Sequence, residues 1–299
     1  MRTASTPCSR KEPDMTDLYP TRGAAEVLTP RRDPVLWGEP SERLRDFERD
    51  GFMTVDELLT PTEVLAYRAE LKRLIADPAV LNDERAIVEP SSKEVRSVFE
   101  VHHISEVFAQ LVRDPRVVDT ARRILGSDVY VHQSRVNVKP GFGARGFYWH
   151  SDFETWHAED GLPRMRAVSV SIALTENRDT NGSLMIMPGS HRTFLGCAGA
   201  TPKENYKRSL QMQEAGTPSA SALTEMALEH GIKLFTGRAG SATWFDCNCM
   251  HGSGDNITPY PRSNVFIVFN SVENQPAEPF AAPARRPEFI AAREFLPVE

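Results

Sequence analysis

The change of hydrophobic period near Val129 constrains the fold of this chain more than any other feature. Before it, apolar residues recur at helical spacing; after it, they alternate. Ser41 can cap a short segment carrying Leu44 and Phe47. Thr60-Pro61-Thr62-Glu63 reads as a capping box with proline at the first helical position. Val64, Tyr67, Leu71, Leu74 and Ile75 follow at helical spacing up to Asp77-Pro78. Further helical stretches run from about Ser105 to Val112 and from Asp114-Pro115 to Gly126, a C′ glycine. Beyond Val129 come short β-branched or aromatic runs separated by Gly, Asn and Pro: VYVHQSRVNVK, FYWHSDF, RAVSVSIAL, SLMIM, SATWF and NVFIVFNSV. Helices first and strands afterwards predict a mainly β protein with flanking helices, a sandwich or barrel under an outer helical layer.

The expected organisation is a disordered leader over residues 1–25 and a single domain over 26–299. Within it the helical layer spans about 40–126 and the β core about 129–275. The segment from about 193 to 230 interrupts the strands and is long and polar, which predicts a lid-like insertion. Lys+Arg 35 against Asp+Glu 41 leave a net charge of −6, a poor basis for holding phosphates, so no nucleic-acid partner is expected. No apolar run approaches membrane-spanning length, and the N-terminus lacks the apolar stretch of a signal peptide. Four cysteines in 299 residues are too few for a disulfide framework. A cytoplasmic protein with reduced thiols, not bound to a membrane, is the resulting expectation.

The chemistry concentrates in two motifs. Trp149-His150-Ser151-Asp152 lies in a strand-like run, where residues two apart share a face about 6.6 Å apart. His150 and Asp152 could therefore converge on one cation. His251, beside Gly252-Ser253-Gly254, follows the strand SATWF and can supply a third ligand. Two imidazoles and one carboxylate make the facial triad of non-haem Fe(II) oxygenases. Arg262 opens the next strand eleven residues past His251. With Ser253 it offers a fork and a hydroxyl to a carboxylate. A zinc alternative would use Cys247, Cys249 and His251, but the C-x-C spacing is poor for it. His102 and His103 are expected at a surface helix start; they and His157 lack partner spacing.

On the run from Val129 to Lys139, Gln133, Arg135, Asn137 and Lys139 share one face, while His132, Ser134, Val136 and Val138 share the other. The polar face is expected in water by default, or toward a ligand-filled barrel interior. The spacing alone leaves both open.

The segment FYWHSDFETWHAEDGLPRMRA (Phe147 to Ala167) resembles the signature of the ectoine hydroxylases, a branch of the phytanoyl-CoA dioxygenase-like superfamily of Fe(II)/2-oxoglutarate oxygenases. The resemblance extends to QSRVNVKPGF, NGSLMIMPGSH and MHGSGDN with Arg262, covering roughly residues 40–290. The presence of Asp152 separates the chain from the halogenase branch, where a small residue stands in its place. The resemblance implies a double-stranded β-helix, the cupin-like jelly roll. It implies Fe(II) held by His150, Asp152 and His251, with 2-oxoglutarate and O2 as cosubstrates. Lys139, Ser253 and Arg262 are implied as 2-oxoglutarate contacts, with Phe147 and Asn137 nearby. Gln133, Trp156, Phe245, Phe269 and Arg286 are implied around the substrate. The implied reaction hydroxylates ectoine to 5-hydroxyectoine and releases succinate and CO2. The alternatives are an oxygenase for another small amino-acid derivative and a non-catalytic cupin-like binding protein. A homodimer is compatible with this reading.

Overall fold

The computed structural model of the chain describes residues 19–88, 94–210 and 215–299. Its N-terminal part contributes β1 (Val27–Pro30), α1 (Arg45–Asp50), β2 (Phe52–Val55), α2 (Pro61–Ala76), α3 (Pro78–Leu81), β3 (Ala86–Val88), β4 (Val95–Phe99), α4 (Val101–Ile104), α5 (Glu106–Arg113) and α6 (Pro115–Leu125). The capping box of α2 forms as the sequence predicts: Thr60 Oγ1 accepts from the Glu63 amide, and Glu63 accepts from the Thr60 amide at 2.7 Å. Such a cap stabilises a helix by about 1 kcal/mol. α6 starts on Asp114 with Pro115 at its first turn and ends at Gly126 in the left-handed region, φ 62. Ser41 precedes a 3-10 turn but makes no side-chain cap bond.

The second part runs β5 (Val129–Lys139), β6 (Phe147–His150), α7 (Asp152–Thr155), a π-helical turn (Trp156–Asp160), β7 (Ala167–Ala173), β8 (Leu184–Ile186), β9 (Thr193–Gly196), α8 (Tyr206–Ser209), α9 (Ala220–His230), β10 (Lys233–Leu234), β11 (Ala242–Asp246), β12 (His251–Ser253) and β13 (Arg262–Ser271). One sheet has the order β2-β11-β7-β13-β5-β4-β3 and the other β10-β8-β12-β6. Every pairing in both is antiparallel. From β5 to β8 the chain alternates between the sheets, and β10 to β13 return through them. That path is a double-stranded β-helix.

The helical layer lies against the outer face of the larger sheet. Phe47, Val64, Leu71, Leu74, Phe108, Leu111, Val117 and Ala121 pack there on Val129, Val136, Val168, Val170, Ile172, Val265 and Ile267. Burying side chains of this size contributes about 1.5–3 kcal/mol each, so this layer anchors the sheet. The opposite, inner face carries Gln133, Asn137, Lys139, Ser169, Ser171 and Asn264, all buried. The polar face of β5 thus turns to the interior rather than to water.

Two expectations change, and a third segment gains detail. The N-terminal third is not only helical: β2, β3 and β4 extend the larger sheet at its edges. Tyr19 is already packed, 2% exposed, and Arg22 is bound to Glu154 and Glu159, so residues 19–25 belong to the folded protein; residues 1–18 lie outside the described residues. The 193–230 segment holds β9, which pairs with β1, and the helices α8 and α9.

Candidate active site

His150 ends β6 and is the register partner of His251, which opens β12. Their rings stand 4.2 Å apart between centroids. The chain then bends: Ser151 caps α7 by accepting from the Glu154 amide, and Asp152 is the first helical residue. The sequence reading treated this stretch as extended; a helical turn brings Asp152 to the same place. His150 Nε2 lies 3.7 Å from Asp152 Oδ1, and His251 Nε2 lies 3.9 Å from Asp152 Oδ2. Ligating atoms of the three residues all fall within 4.8 Å of one another. Each imidazole turns its Nδ1 to a backbone carbonyl, His150 to Tyr148 at 2.7 Å and His251 to Cys249 at 3.0 Å. Donation from Nδ1–H leaves the Nε2 lone pair free toward the carboxylate, the form a metal requires. Burial, and then His251, push the His150 imidazole down to about 4, which keeps it neutral. Two imidazoles and one carboxylate fit Fe(II).

Cys247 and Cys249 are not part of this cluster. Both are fully buried thiols, and Cys249 Sγ points to the Gly51 carbonyl at 3.2 Å. Burial raises both well above the usual thiol range, so neither offers a ready thiolate. The zinc alternative built on Cys247, Cys249 and His251 is therefore not formed.

One cavity joins the cluster to cationic and aromatic side chains. Its lining includes Gln133, Arg135, Asn137, Phe147, His150, Asp152, Trp156, His251, Ser253, Arg262, Phe266 and Arg286. Lys139 pairs with Arg262 across β5 and β13, and its ammonium donates to Ser253 Oγ at 2.9 Å and to the Gly254 carbonyl at 2.6 Å. Burial, reinforced by Arg262 and Arg96, pushes Lys139 down to about 6. Gly182, at φ 74, is needed beside it: a Cβ there would sit 3.0 Å from Lys139 Nζ and 2.6 Å from the Gly254 oxygen. Arg262 is 4% exposed, and its Nη1 is buried without a hydrogen-bond partner. No carboxylate pairs with it among the described residues. A buried unpaired guanidinium donor is costly unless an anion meets it, so a ligand carboxylate fits this end. Asn137 accepts from Ser97 at 2.8 Å, and the Phe147 ring carries the Arg96 guanidinium at 4.1 Å.

Trp156 lines the cavity because it follows Asp152 by one helical turn, not by extended spacing. Gln133 donates to the Ile290 carbonyl at 2.6 Å and accepts from Arg135. Arg286 reaches the cavity while held by Asp160. Phe245 does not line the cavity; it packs under His251 with ring centroids 5.1 Å apart. Phe269 is misplaced by the sequence reading. Arg262, Asn264, Phe266 and Val268 alternate inward on β13, so Phe269 faces the helical layer and stacks on Trp244.

Sequence reasoning missed Phe266 and gave Arg135 no role. The same alternation that carries Arg262 and Gln133 places both. His157 is buried between Phe153 and Phe280, and His102 binds Ser134 Oγ, leaving only His103 at the surface.

The phytanoyl-CoA dioxygenase (PhyH) profile matches residues 47–264. An ectoine dioxygenase of Streptomyces coelicolor is 75% identical over 293 residues, 96% of this chain and 98% of the relative. The chain belongs to the ectoine dioxygenases within the phytanoyl-CoA dioxygenase family. Solved structures of EctD from S. alaskensis share 45% identity with this member of the family. The crystal structure with 2-oxoglutarate and 5-hydroxyectoine has a TM-score of 0.85 and covers 94% of this chain and 96% of that one. The crystal structure with bound Fe has a TM-score of 0.84 and covers 95% and 98%. In this family member, no helix among the described residues is long and apolar enough to cross a membrane.

Proposed function

We propose that this protein is an Fe(II)- and 2-oxoglutarate-dependent dioxygenase that hydroxylates ectoine to 5-hydroxyectoine. One observation carries the reading: a single cavity contains the His150–Asp152–His251 cluster, the unpartnered Arg262 donor, and the Trp156 and Arg286 side chains. Family membership supplies the substrate class. O2 is divided between the products: one atom enters 5-hydroxyectoine, and the other enters succinate as 2-oxoglutarate loses CO2.

Fe(II), when bound, supplies the redox chemistry that couples this decarboxylation to the C–H oxidation. The chain supplies position and charge. His150, Asp152 and His251 hold the metal, with their imidazoles fixed by the Tyr148 and Cys249 carbonyls. Arg262, Lys139 and Ser253 meet the far carboxylate of 2-oxoglutarate, with Asn137 and Phe147 beside them. Trp156 and Gln133 border the ectoine ring. Phe266 gives an aromatic face suited to its delocalised cation. The free, buried thiols of Cys197, Cys247 and Cys249 suit a reducing, cytoplasmic location.

The test is ectoine-dependent consumption of 2-oxoglutarate by the iron-loaded protein. One succinate per 5-hydroxyectoine is expected, with no turnover of proline and similar amines. Preference for another amine would reassign the substrate. Metal binding without succinate release under any amine would make the protein a binding module instead.

A further inference from the structure

The cation lining the ectoine end of the cavity stands on a chain segment that has no secondary structure of its own. Arg286 lies beyond β13, where no helix or strand is formed through the C-terminus. Such a segment cannot hold a guanidinium in one orientation by backbone geometry alone. Asp160, at the end of the π-helical turn, does so from the opposite side. Arg286 Nε donates to Asp160 Oδ1 at 2.8 Å and Nη2 donates to Oδ2 at 2.5 Å. The fork is fully engaged on one edge, leaving Nη1 as the donor not committed to Asp160. Asp160 is 0% exposed and Arg286 8%, so this pairing is sheltered from water. His132 Nε2 lies 3.5 Å from the same Oδ2 and packs edge-on against Trp156 at 5.4 Å.

Backbone contacts tie the same two segments together. The Ala281 amide donates to the Ala158 carbonyl at 2.9 Å, and the Ala277 amide donates to the Gly161 carbonyl at 2.8 Å. Gly161, at φ 81, allows this approach: a Cβ there would lie 2.2 Å from the Ala277 oxygen. The π-helical turn therefore presents Trp156 to the cavity and docks the C-terminal segment with Asp160.

We infer that Asp160 is a positioning residue for substrate recognition: it fixes Arg286 as the cation that receives the ectoine carboxylate. This rests on ectoine being the substrate. Arg286 without Asp160 would have many side-chain rotamers, and ordering them on binding would weaken affinity. The effect should fall on ectoine and not on iron or 2-oxoglutarate, whose proposed contacts lie on β5, β6, β12 and β13 and on Asp152 at the far end of the helical stretch, eight residues before Asp160.

Steady-state kinetics of the iron-loaded full chain test this. Asp160→Asn is expected to raise the KM for ectoine at least tenfold. The kcat and the 2-oxoglutarate KM should stay within twofold, and metal content should be unchanged. Arg286→Ala should do the same, and the double variant should be no worse than the worse single one. A cyclic amidine lacking the carboxylate should inhibit the parent protein and Asp160→Asn equally. An unchanged ectoine KM in Asp160→Asn overturns the inference. So do multiplicative effects in the double variant, or equal rises for ectoine and 2-oxoglutarate. Should Asp160→Asn fail to fold, Asp160→Glu keeps the charge but displaces it, and an ectoine KM equal to the parent's would be just as decisive against the inference. Lack of ectoine-dependent succinate in the parent protein would instead refute the proposed function, before any variant is compared.

Discussion

Lys139 and Arg262 are direct register partners on β5 and β13, and both are buried. Among the described residues, neither has a carboxylate at hydrogen-bond distance. Lys139 instead spends its donors on Ser253 and the Gly254 carbonyl, and Arg262 keeps one donor unmatched. Holding a second positive charge beside Arg262 in this sheltered site is unfavourable until an anion enters, which draws free Lys139 toward its neutral form.

This has a pH signature. Burial, with Arg262 and Arg96 close by, holds free Lys139 at about 6; a bound carboxylate would raise that value. Between the two values, binding takes up a proton, so affinity for 2-oxoglutarate should fall as pH rises above 6. The limit is about tenfold per pH unit for one proton. Calorimetry at pH 7 in buffers of different ionisation enthalpy, with a redox-inert metal, should detect this uptake. Lys139→Met should abolish it. Proton-neutral binding by the parent protein would contradict the assignment of Lys139 to the cosubstrate.

Arg262 should behave differently from a simple positive charge. Its fork can clamp a carboxylate with two bonds, which the point charge of lysine does not reproduce. Arg262→Lys should raise the 2-oxoglutarate requirement on the order of tenfold, corresponding to about 1.4 kcal/mol, with little change for ectoine. Titrating each substrate at saturation of the other separates these effects. Equal losses for both would indicate general damage to the cavity.

Removing any one of His150, Asp152 or His251 should abolish both iron binding and turnover. Cys247→Ser and Cys249→Ser should leave iron in place, because both sulfurs lie outside the ligand cluster. Metal analysis of purified variants checks this directly. Loss of metal from the cysteine variants, with retention in His150→Ala, would reverse the assignment.

What was legible in the sequence is what local chemistry determines. The Thr60–Glu63 box and Asp114-Pro115…Gly126 specify their helices without help from distant residues, and the alternation along 129–139 specifies β5. β2 and β4 were not legible, because short runs become strands by pairing with β11 and β5. The helical turn after His150 had a signal that was overlooked. Ser151-Asp152-Phe153-Glu154 is itself an S-x-x-E pattern, and it overrides the extended reading. Parity could also have excluded Phe269, an odd seven residues from Arg262. The partnership of Asp160 with Arg286 was not legible: 126 residues separate them, and only the folded chain closes that gap.

Trp156 combines two roles that one substitution can separate. It is 2% exposed and packs with Phe153 and Leu162, yet it also lines the cavity. Truncating a buried Trp costs about 3–5 kcal/mol, so Trp156→Ala should lower the melting temperature. In protein that remains folded, it should retain iron and 2-oxoglutarate binding but lose most ectoine hydroxylation. Gln133→Ala should show the same functional loss with a smaller stability cost. Paired melting curves and single-turnover hydroxylation measure both effects. Near-normal hydroxylation by the folded variants would remove these residues from the substrate site.

The last prediction concerns Arg22, in the region read from sequence as a disordered leader. Its Nε and Nη2 donate to both oxygens of Glu154 at 2.8 and 2.7 Å, while Nη1 donates to Glu159 at 2.9 Å and Thr201 at 2.7 Å. Asn205 adds a bond to the same Glu159 oxygen at 2.8 Å. The three charged side chains are 1–2% exposed, so water cannot take over for a missing partner. Glu154 and Asp152 share α7, and Glu159 lies in the turn that begins with Trp156; this one cation therefore braces the backbone carrying both. Arg22→Met leaves two buried carboxylates without their cation, which typically costs about 3–5 kcal/mol. Neutralising the carboxylates in the same protein, with Glu154→Gln and Glu159→Gln, should recover much of that loss, because an uncharged amide is far less costly to bury. Denaturant midpoints for the parent, single and triple variants provide the comparison. A single variant as stable as the parent would show that the cluster braces nothing. A triple variant no better than the single one would assign the loss to packing of the arginine stem rather than to charge.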